Sequence, residues 1–181
     1  MALPSTILRF NLEVADVDRS TYETLELRVA RHPSEGDHFL VTRVIAAALH
    51  IGDGAELSRA GLCDPDDPPV LAKDLTGRIT HWIDIGSPSP DRLHKAAKKA
   101  DNVFVYTYRR PEPLVESIRK AGIYRAQDLQ LFSLDQGFLD TLAGSLGRTN
   151  TWALVRTEGE LFVTAGETSA SCPLCLHPIE G

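Results

Sequence analysis

The chain has 181 residues, enough for one domain with a real core. Its hydrophobic fraction of 43% and charged fraction of 24% are those of an ordinary water-soluble globular protein. The formal net charge of −6 argues against a nonspecific nucleic-acid coat, while leaving room for a local basic patch. The longest apolar run, Val44 to Leu49, is far too short to span a bilayer, so no membrane association is expected. The opening residues lack the charged and long apolar regions of a secretion signal, which makes the cytoplasm the expected location.

Residues 6–14 and 22–30 alternate apolar and polar. Leu8, Phe10, Leu12 and Val14 lie on one face, and Leu25, Leu27 and Val29 repeat the pattern. The short polar link between them predicts an antiparallel hairpin. Ser34 then reads as a helix cap, with apolar residues at helical spacing over 35–51 and Glu35 in the first turn. Residues 55–63 predict a short strand. The loop Asp64-Pro65-Asp66-Asp67-Pro68-Pro69 delays the next strand to Val70, because proline cannot donate to a ladder.

Gly77 supplies a tight turn, and the strand after it, Arg78 to Ile85, alternates: Ile79, His81, Ile83 and Ile85 on one face, Thr80, Trp82 and Asp84 on the other. Ser89 and Pro90 open a helix as N-cap and first helical residue, and Arg92, Lys95 and Lys99 share one of its faces. A strand over 103–108 follows, which makes a parallel pair with the Asp84 strand the expected connection. Further on, the pattern predicts a helix over 112–121 ended by Gly122, a strand over 128–134 and a helix over 136–146. A closing hairpin over 151–155 and 160–165 turns at Glu158-Gly159. Residues 1–165 form one expected domain, and 166–181 an expected loose tail.

Several chemistries lack their motif. The chain holds no phosphate-binding glycine loop followed by Lys-Ser/Thr, no GxSxG and no HExxH. Of the three cysteines, Cys172 and Cys175 form a single CxxC with His177 close behind. A structural zinc site wants four ligands, usually two such pairs. Cys63 has no partner that sequence assigns.

Asp84 stands out because a carboxylate at the end of an apolar strand must be solvated, hydrogen-bonded or bound to a cation. With a turn at Thr76-Gly77, Asp84 lies across from about residues 67–71, which brings the Asp66–Asp67 loop within reach. Two or three carboxylates there could hold a hard divalent cation such as Mg²⁺. Such a cation could activate water at a phosphodiester while a lysine steadies the developing charge. Each residue also has a plain role: turn acids, a strand-end acid and a solvated lysine face.

Segments in this order resemble the YaeQ family of bacterial proteins: Ala30-Arg31-His32-Pro33-Ser34-Glu35, Leu57-Ser58-Arg59-Ala60-Gly61-Leu62, Trp82-Ile83-Asp84-Ile85-Gly86, Asp91-Arg92-Leu93-His94-Lys95-Ala96 and Val105-Tyr106-Thr107-Tyr108. They span most of residues 5–165, with the cysteine-bearing tail outside the match. The resemblance implies an α/β fold: a mixed β-sheet flanked by helices, a PD-(D/E)xK nuclease-like core with an N-terminal β-hairpin. It also implies a catalytic set of Asp84, Glu35 and Lys95, with Asp84, Asp67 and Glu35 around Mg²⁺. The chain departs from that motif twice. Gly86 stands where the motif has lysine, so Lys95 on the next helix takes its place. Pro69 stands where the motif has an acid, so Asp67 or Asp66 must substitute. Two functions follow: Mg²⁺-dependent hydrolysis of nucleic acid, or a catalytically inactive nuclease-fold module that binds protein or nucleic acid.

Overall fold

The computed structural model describes residues 4–58 and 64–179. Eleven strands are described, and they form two sheets, with four α-helices. The chain opens with β1 (Thr6–Asp16) and β2 (Thr21–Arg31), the hairpin its alternation calls for, with Leu12 opposite Leu25 and Phe10 opposite Leu27. The hairpin is joined by β8 (Thr149–Thr157), β9 (Glu160–Ala165) and β10 (Thr168–Pro173) in a five-stranded sheet of order β10-β9-β8-β1-β2. β1 and β8 run parallel, so the sheet is mixed.

The second sheet has six strands in the order β11-β7-β6-β5-β4-β3. It is built from β3 (Glu56–Leu57), β4 (Val70–Lys73), β5 (Ile79–Ile85), β6 (Asn102–Thr107), β7 (Gln130–Ser133) and β11 (Cys175–His177). β5, β6 and β7 are parallel neighbours, and the strands on either side are antiparallel. The hairpin between β4 and β5 pairs Val70 with Ile83 and Leu71 with Trp82, with a register shift between Ala72 and Lys73. Asp84 therefore lies just past the start of β4, close to the register that the turn residues predict.

One core lies between the sheets. α1 (Asp37–Leu49) buries every residue from Leu40 to Leu49. That is the signature of a helix enclosed all round rather than an amphipathic surface helix. It packs with α4 (Gln136–Ala143) against Phe10, Leu12, Trp152 and Leu154 of one sheet and Ile83, Ile85 and Tyr106 of the other. A second core lies on the far face of the six-stranded sheet. There Trp82, Val105 and Leu131 meet Leu93 and Ala96 of α2 (Pro90–Lys99) and Leu114 and Ile118 of α3 (Pro111–Ala121). The alternation of β5 thus divides its residues between two cores: Ile83 and Ile85 face α1, and Trp82 and Asp84 face α2.

Local signals act as expected at several boundaries. The Ser89 side chain accepts from Arg92 N at 3.3 Å, with Pro90 in the first turn of α2. Gly122 ends α3 in the left-handed region at φ 58°. Glu158 and Gly159 turn the β8–β9 hairpin at φ 51° and 75°.

Three expectations are corrected. The mixed sheet with an added hairpin is in fact two mixed sheets, because β1 finds its second partner in β8, far along the chain. α1 begins at Asp37 with Gly36 as N-cap, and Glu35 lies in the turn ahead of it. Ser34 instead holds the His32 ring through Oγ–Nδ1 at 2.6 Å. Residues 168–177 are not a loose tail. β10 extends one sheet and β11 the other, and Cys172, Leu174 and Ile179 are buried. Of the short strand expected over 55–63, Glu56 and Leu57 form β3, and residues 59–63, with Cys63, lie outside the described residues.

Candidate functional site

Asp84 is the penultimate residue of β5, beneath the first turn of α2, and the two elements together determine what its carboxylate meets. Capping by Ser89 sets the phase of α2 so that Arg92 points back over the strand end. Arg92 donates from Nε to both Asp84 oxygens at 2.9 and 3.0 Å and from Nη2 to Oδ1 at 2.8 Å. Trp82 Nε1, two residues back on the same face, donates to Asp84 Oδ2 at 3.0 Å. The Arg92 guanidinium also lies 5.5 Å from the Trp82 ring centroid, within cation–π range. Its remaining donors reach the acidic loop: Nη1 to the Pro65 carbonyl at 2.6 Å and Nη2 to the Asp67 carbonyl at 3.0 Å. A buried carboxylate, its counter-ion and the 64–69 loop are one hydrogen-bonded unit.

A pocket of about 220 Å³ opens beside this unit, lined by Asp64, Asp67, Asp84 and Arg92 with Phe39, Pro69, Ile85 and Pro88 among its apolar walls. The structure therefore brings Asp84 and Asp67 to one pocket. Lys95 lies one helical turn beyond Arg92, two-thirds exposed, with Nζ 3.5 Å from Asp66 Oδ1, and does not line the pocket.

Glu35 is also outside the pocket lining. It is buried in the turn before α1 and pairs with Arg43 of that helix, whose Nη2 lies 3.0 Å from Oε1 and 3.2 Å from Oε2. His32 N donates to Oε2 at 3.2 Å. Burial pushes the Glu35 carboxyl above its ordinary range despite Arg43, and the same burial pushes the Arg43 guanidinium down.

Mg²⁺ prefers six oxygen ligands in near-octahedral array and keeps several waters. Both Asp84 oxygens already accept from Arg92, one of them also from Trp82, and Glu35 is committed to Arg43. Asp64 Oδ1 accepts from Asp66 N at 2.8 Å. A donor set in which the central carboxylate is neutralised by a bidentate arginine does not fit Mg²⁺. Gly86 has a backbone reason as well: its φ of 86° is a region that side-chain-bearing residues rarely adopt, so a lysine two residues after Asp84 would be strained. The cysteine-bearing segment does not converge on a metal either. Cys172 is buried, Cys175 is exposed and His177 Nε2 lies 2.7 Å from Ser133 Oγ.

Sequence reasoning singled out Asp84 but missed the residue that answers it. The signal was present: a capped helix directly after a strand-end acid puts its third residue, here Arg92, over that acid. On helical spacing alone, Arg92 shares a basic face with Lys95.

The sequence model of the YaeQ protein family matches residues 1–174. The chain belongs to the YaeQ family. The match reaches past Cys172, so most of the cysteine-bearing segment lies inside the YaeQ homology, contrary to expectation. The chain is 28% identical over 165 residues to a protein of Escherichia coli (strain K12) named Uncharacterized protein YaeQ, covering 91% of each chain, and equally to the one from Salmonella typhi. Among solved structures, the YaeQ protein from Xanthomonas axonopodis pv. citri superposes with a TM-score of 0.88 at 28% identity, covering 96% of this chain and 98% of that one. The YaeQ protein from Pseudomonas syringae gives 0.88 at 29% identity over 99% and 98%. The two-sheet α/β architecture is thus the YaeQ fold. No helix among the described residues is long and apolar enough to cross a membrane.

Proposed function

We propose that this chain is a non-catalytic binding module, a nuclease-like core of α1, β4, β5, α2 and β6 in which the catalytic acid has become a structural one, and that its pocket takes a cationic side chain of a protein partner. The observation that carries this reading is the Asp84–Arg92 pair. A metal-dependent hydrolase needs carboxylate oxygens free to coordinate, and here they are held by a guanidinium that also anchors the loop beside them.

The charge of the pocket supports a protein partner over nucleic acid. Asp84 and Arg92 cancel, which leaves Asp64 and Asp67 on the lining. An acidic concavity repels phosphate and attracts an ammonium or guanidinium. Phe39, Pro65, Pro69 and Pro88 offer apolar walls along which the aliphatic stem of a lysine or arginine can pack.

The test uses fluorescently labelled short peptides, basic and acidic, alongside labelled single- and double-stranded oligonucleotides, in a binding titration of wild type and Asp67→Asn. Basic peptides should bind best, and removal of one rim charge should weaken them by about two- to fivefold. The same oligonucleotides are then incubated with Mg²⁺ or Mn²⁺. Metal-dependent cutting by the wild type that disappears in Asp84→Ala would overturn this reading and establish phosphodiester hydrolysis.

A further inference from the structure

Away from the Asp84 pocket, three potential metal ligands converge where the two sheets meet the end of α1. His50 caps the C-terminus of α1, Asp53 lies in the short 3-10 turn that follows, and His81 lies on β5, on the opposite face from Asp84. His50 Nδ1 lies 3.0 Å from Asp53 Oδ2, and His81 Nε2 lies 4.0 Å from the same oxygen. All three ligand atoms fall within 4.8 Å of one another, the only such group of His, Cys, Asp or Glu side chains among the described residues.

We propose that His50, Asp53 and His81 bind one divalent transition-metal ion of the Zn²⁺ class, with water completing the coordination. Two imidazoles and a carboxylate are a donor set that suits Zn²⁺ and its neighbours rather than Mg²⁺ or Ca²⁺. Ligand bonds of about 2.0–2.1 Å in a tetrahedron place donor atoms roughly 3.4 Å apart. The Asp53–His50 separation is already of that size, and His81 closes the rest by rotating about its side-chain torsions.

What distinguishes this cluster from a chance meeting of polar groups is the second layer around it. A ligating histidine generally donates its other ring N–H to a fixed acceptor, which sets its tautomer. His50 presents Nδ1 to the centre, and its Nε2 lies 2.8 Å from the Tyr106 hydroxyl. His81 presents Nε2, and its Nδ1 lies 3.1 Å from Thr80 Oγ1. Both rings are thus held by hydroxyl oxygens on the side away from the centre. The Phe104 ring packs on both, stacked at 5.4 Å on His81 and tilted at 4.4 Å on His50. The carboxylate is shared with Arg19, whose Nη2 donates to Asp53 Oδ1 and Oδ2 at 2.9 and 2.8 Å. Unlike the all-oxygen set of the Asp84 pocket, this cluster keeps two imidazole nitrogens as uncharged donors that no arginine among the described residues engages.

Arg19 also sets a limit. Its positive charge shares the carboxylate with the ion and lowers the affinity, so the site is a moderate binder rather than a tight structural zinc cage. Asp53 and His81 are each about one-fifth exposed in their side chains, which leaves a path from solvent. Arg19 belongs to the link between β1 and β2, so an ion here ties α1 and β5 to the hairpin of the other sheet.

The test titrates Zn²⁺, and separately Co²⁺, into chelator-treated protein by calorimetry and visible absorption. One ion per chain is expected, with a Co²⁺ ligand-field band and a higher Tm on adding Zn²⁺. His81→Ala, which leaves the His50–Asp53 pair and its Tyr106 and Arg19 contacts in place, should weaken binding at least about tenfold. Cys175→Ser should leave it unchanged. X-ray absorption of the Zn²⁺-loaded wild type should show nitrogen and oxygen neighbours with imidazole scattering and no sulfur. That spectrum decides the matter even if His81→Ala fails to fold. Absence of binding, equal binding by folded His81→Ala, or sulfur in the zinc shell would each overturn the site.

Discussion

Arg92 and Asp84 are eight residues apart and bound through two guanidinium nitrogens, with the carboxylate 3% exposed and the guanidinium 23% exposed. That asymmetry determines what each substitution costs. Arg92→Ala leaves a buried carboxylate with Trp82 as its remaining donor and releases the 64–69 loop, so it should destabilise the fold by about 3 kcal/mol. Asp84→Asn should cost less, because an orphaned Arg92 can turn toward solvent. Arg92→Lys should recover less than half of the loss, since an ammonium cannot reproduce the bidentate fork. Urea unfolding of the three variants checks the order. Equal costs for Arg92→Ala and Asp84→Asn would mean that the pair is not the anchor of this corner.

Glu35 should make its own mark on the pH dependence of stability. Burial holds its folded-state pKa above the ordinary carboxylate value, so the folded protein takes up a proton more readily than the unfolded chain. The Glu35 contribution is then most favourable below the unfolded-state pKa of about 4.3 and is lost as pH rises through the folded value. Glu35→Gln resembles the protonated acid at every pH. Relative to wild type, it should therefore gain stability as pH rises above the unfolded-state value of about 4.3. Unfolding curves across that range measure the slope. A difference independent of pH would show that Arg43 outweighs desolvation.

Both sites show how far local pattern reaches. The alternation of β5 and the turn at Gly77 place Asp84 correctly opposite the start of β4, and Ser89-Pro90 mark the start of α2. These signals are local: pleat, turn and cap each act over a few residues. The second sheet is not local. β1 meets β8 across roughly 140 residues, with Phe10 beside Asn150 and Leu12 beside Trp152, and alternation alone does not say which strand will be the neighbour. The counter-ion of Asp84 was hidden for a similar reason. Arg92 and Lys95 share one helix face on paper, and only the cap phase and the strand end below decide which of them meets the acid. The histidine of β5 and the His50–Asp53 pair are far apart in sequence and come together only because α1 is enclosed between the sheets.

The last strands should matter to stability out of proportion to their length. β10 carries Ser169, Ser171 and Pro173, which are poor signals for a strand, yet it covers the edge of β9, and β11 covers the edge of β7. Cys172, Leu174 and Ile179 are 3%, 7% and 6% exposed, and Arg119 Nε donates to the Ile179 carbonyl at 2.9 Å. At about 1.5–3 kcal/mol for each buried apolar side chain, ending the chain at Glu167 should cost about 4 kcal/mol or more. It would also uncover two sheet edges prone to intermolecular pairing. Loss of soluble protein, or a lower urea midpoint, is the expected result. An unchanged midpoint would mean that these strands are not integral to the fold.

Cys172 and Cys175 should behave as chemically different thiols although only two residues separate them. Pro173 and Leu174 carry the chain from one sheet to the other, so the two side chains lie in different surroundings. Cys172 is enclosed in the main core, and burial pushes its thiol up to about 11, where almost no thiolate exists at neutral pH. Cys175 is exposed on the edge strand β11. In a Cys63→Ser background, an aromatic disulfide reagent at neutral pH should therefore release one thiol equivalent from the native protein and two after denaturation. Cys175→Ser should abolish the native reaction, and Cys172→Ser should leave it intact. Rapid native reaction of both thiols would show that the strand-to-strand passage at Pro173-Leu174 opens in solution. That opening would also expose the core face of β10.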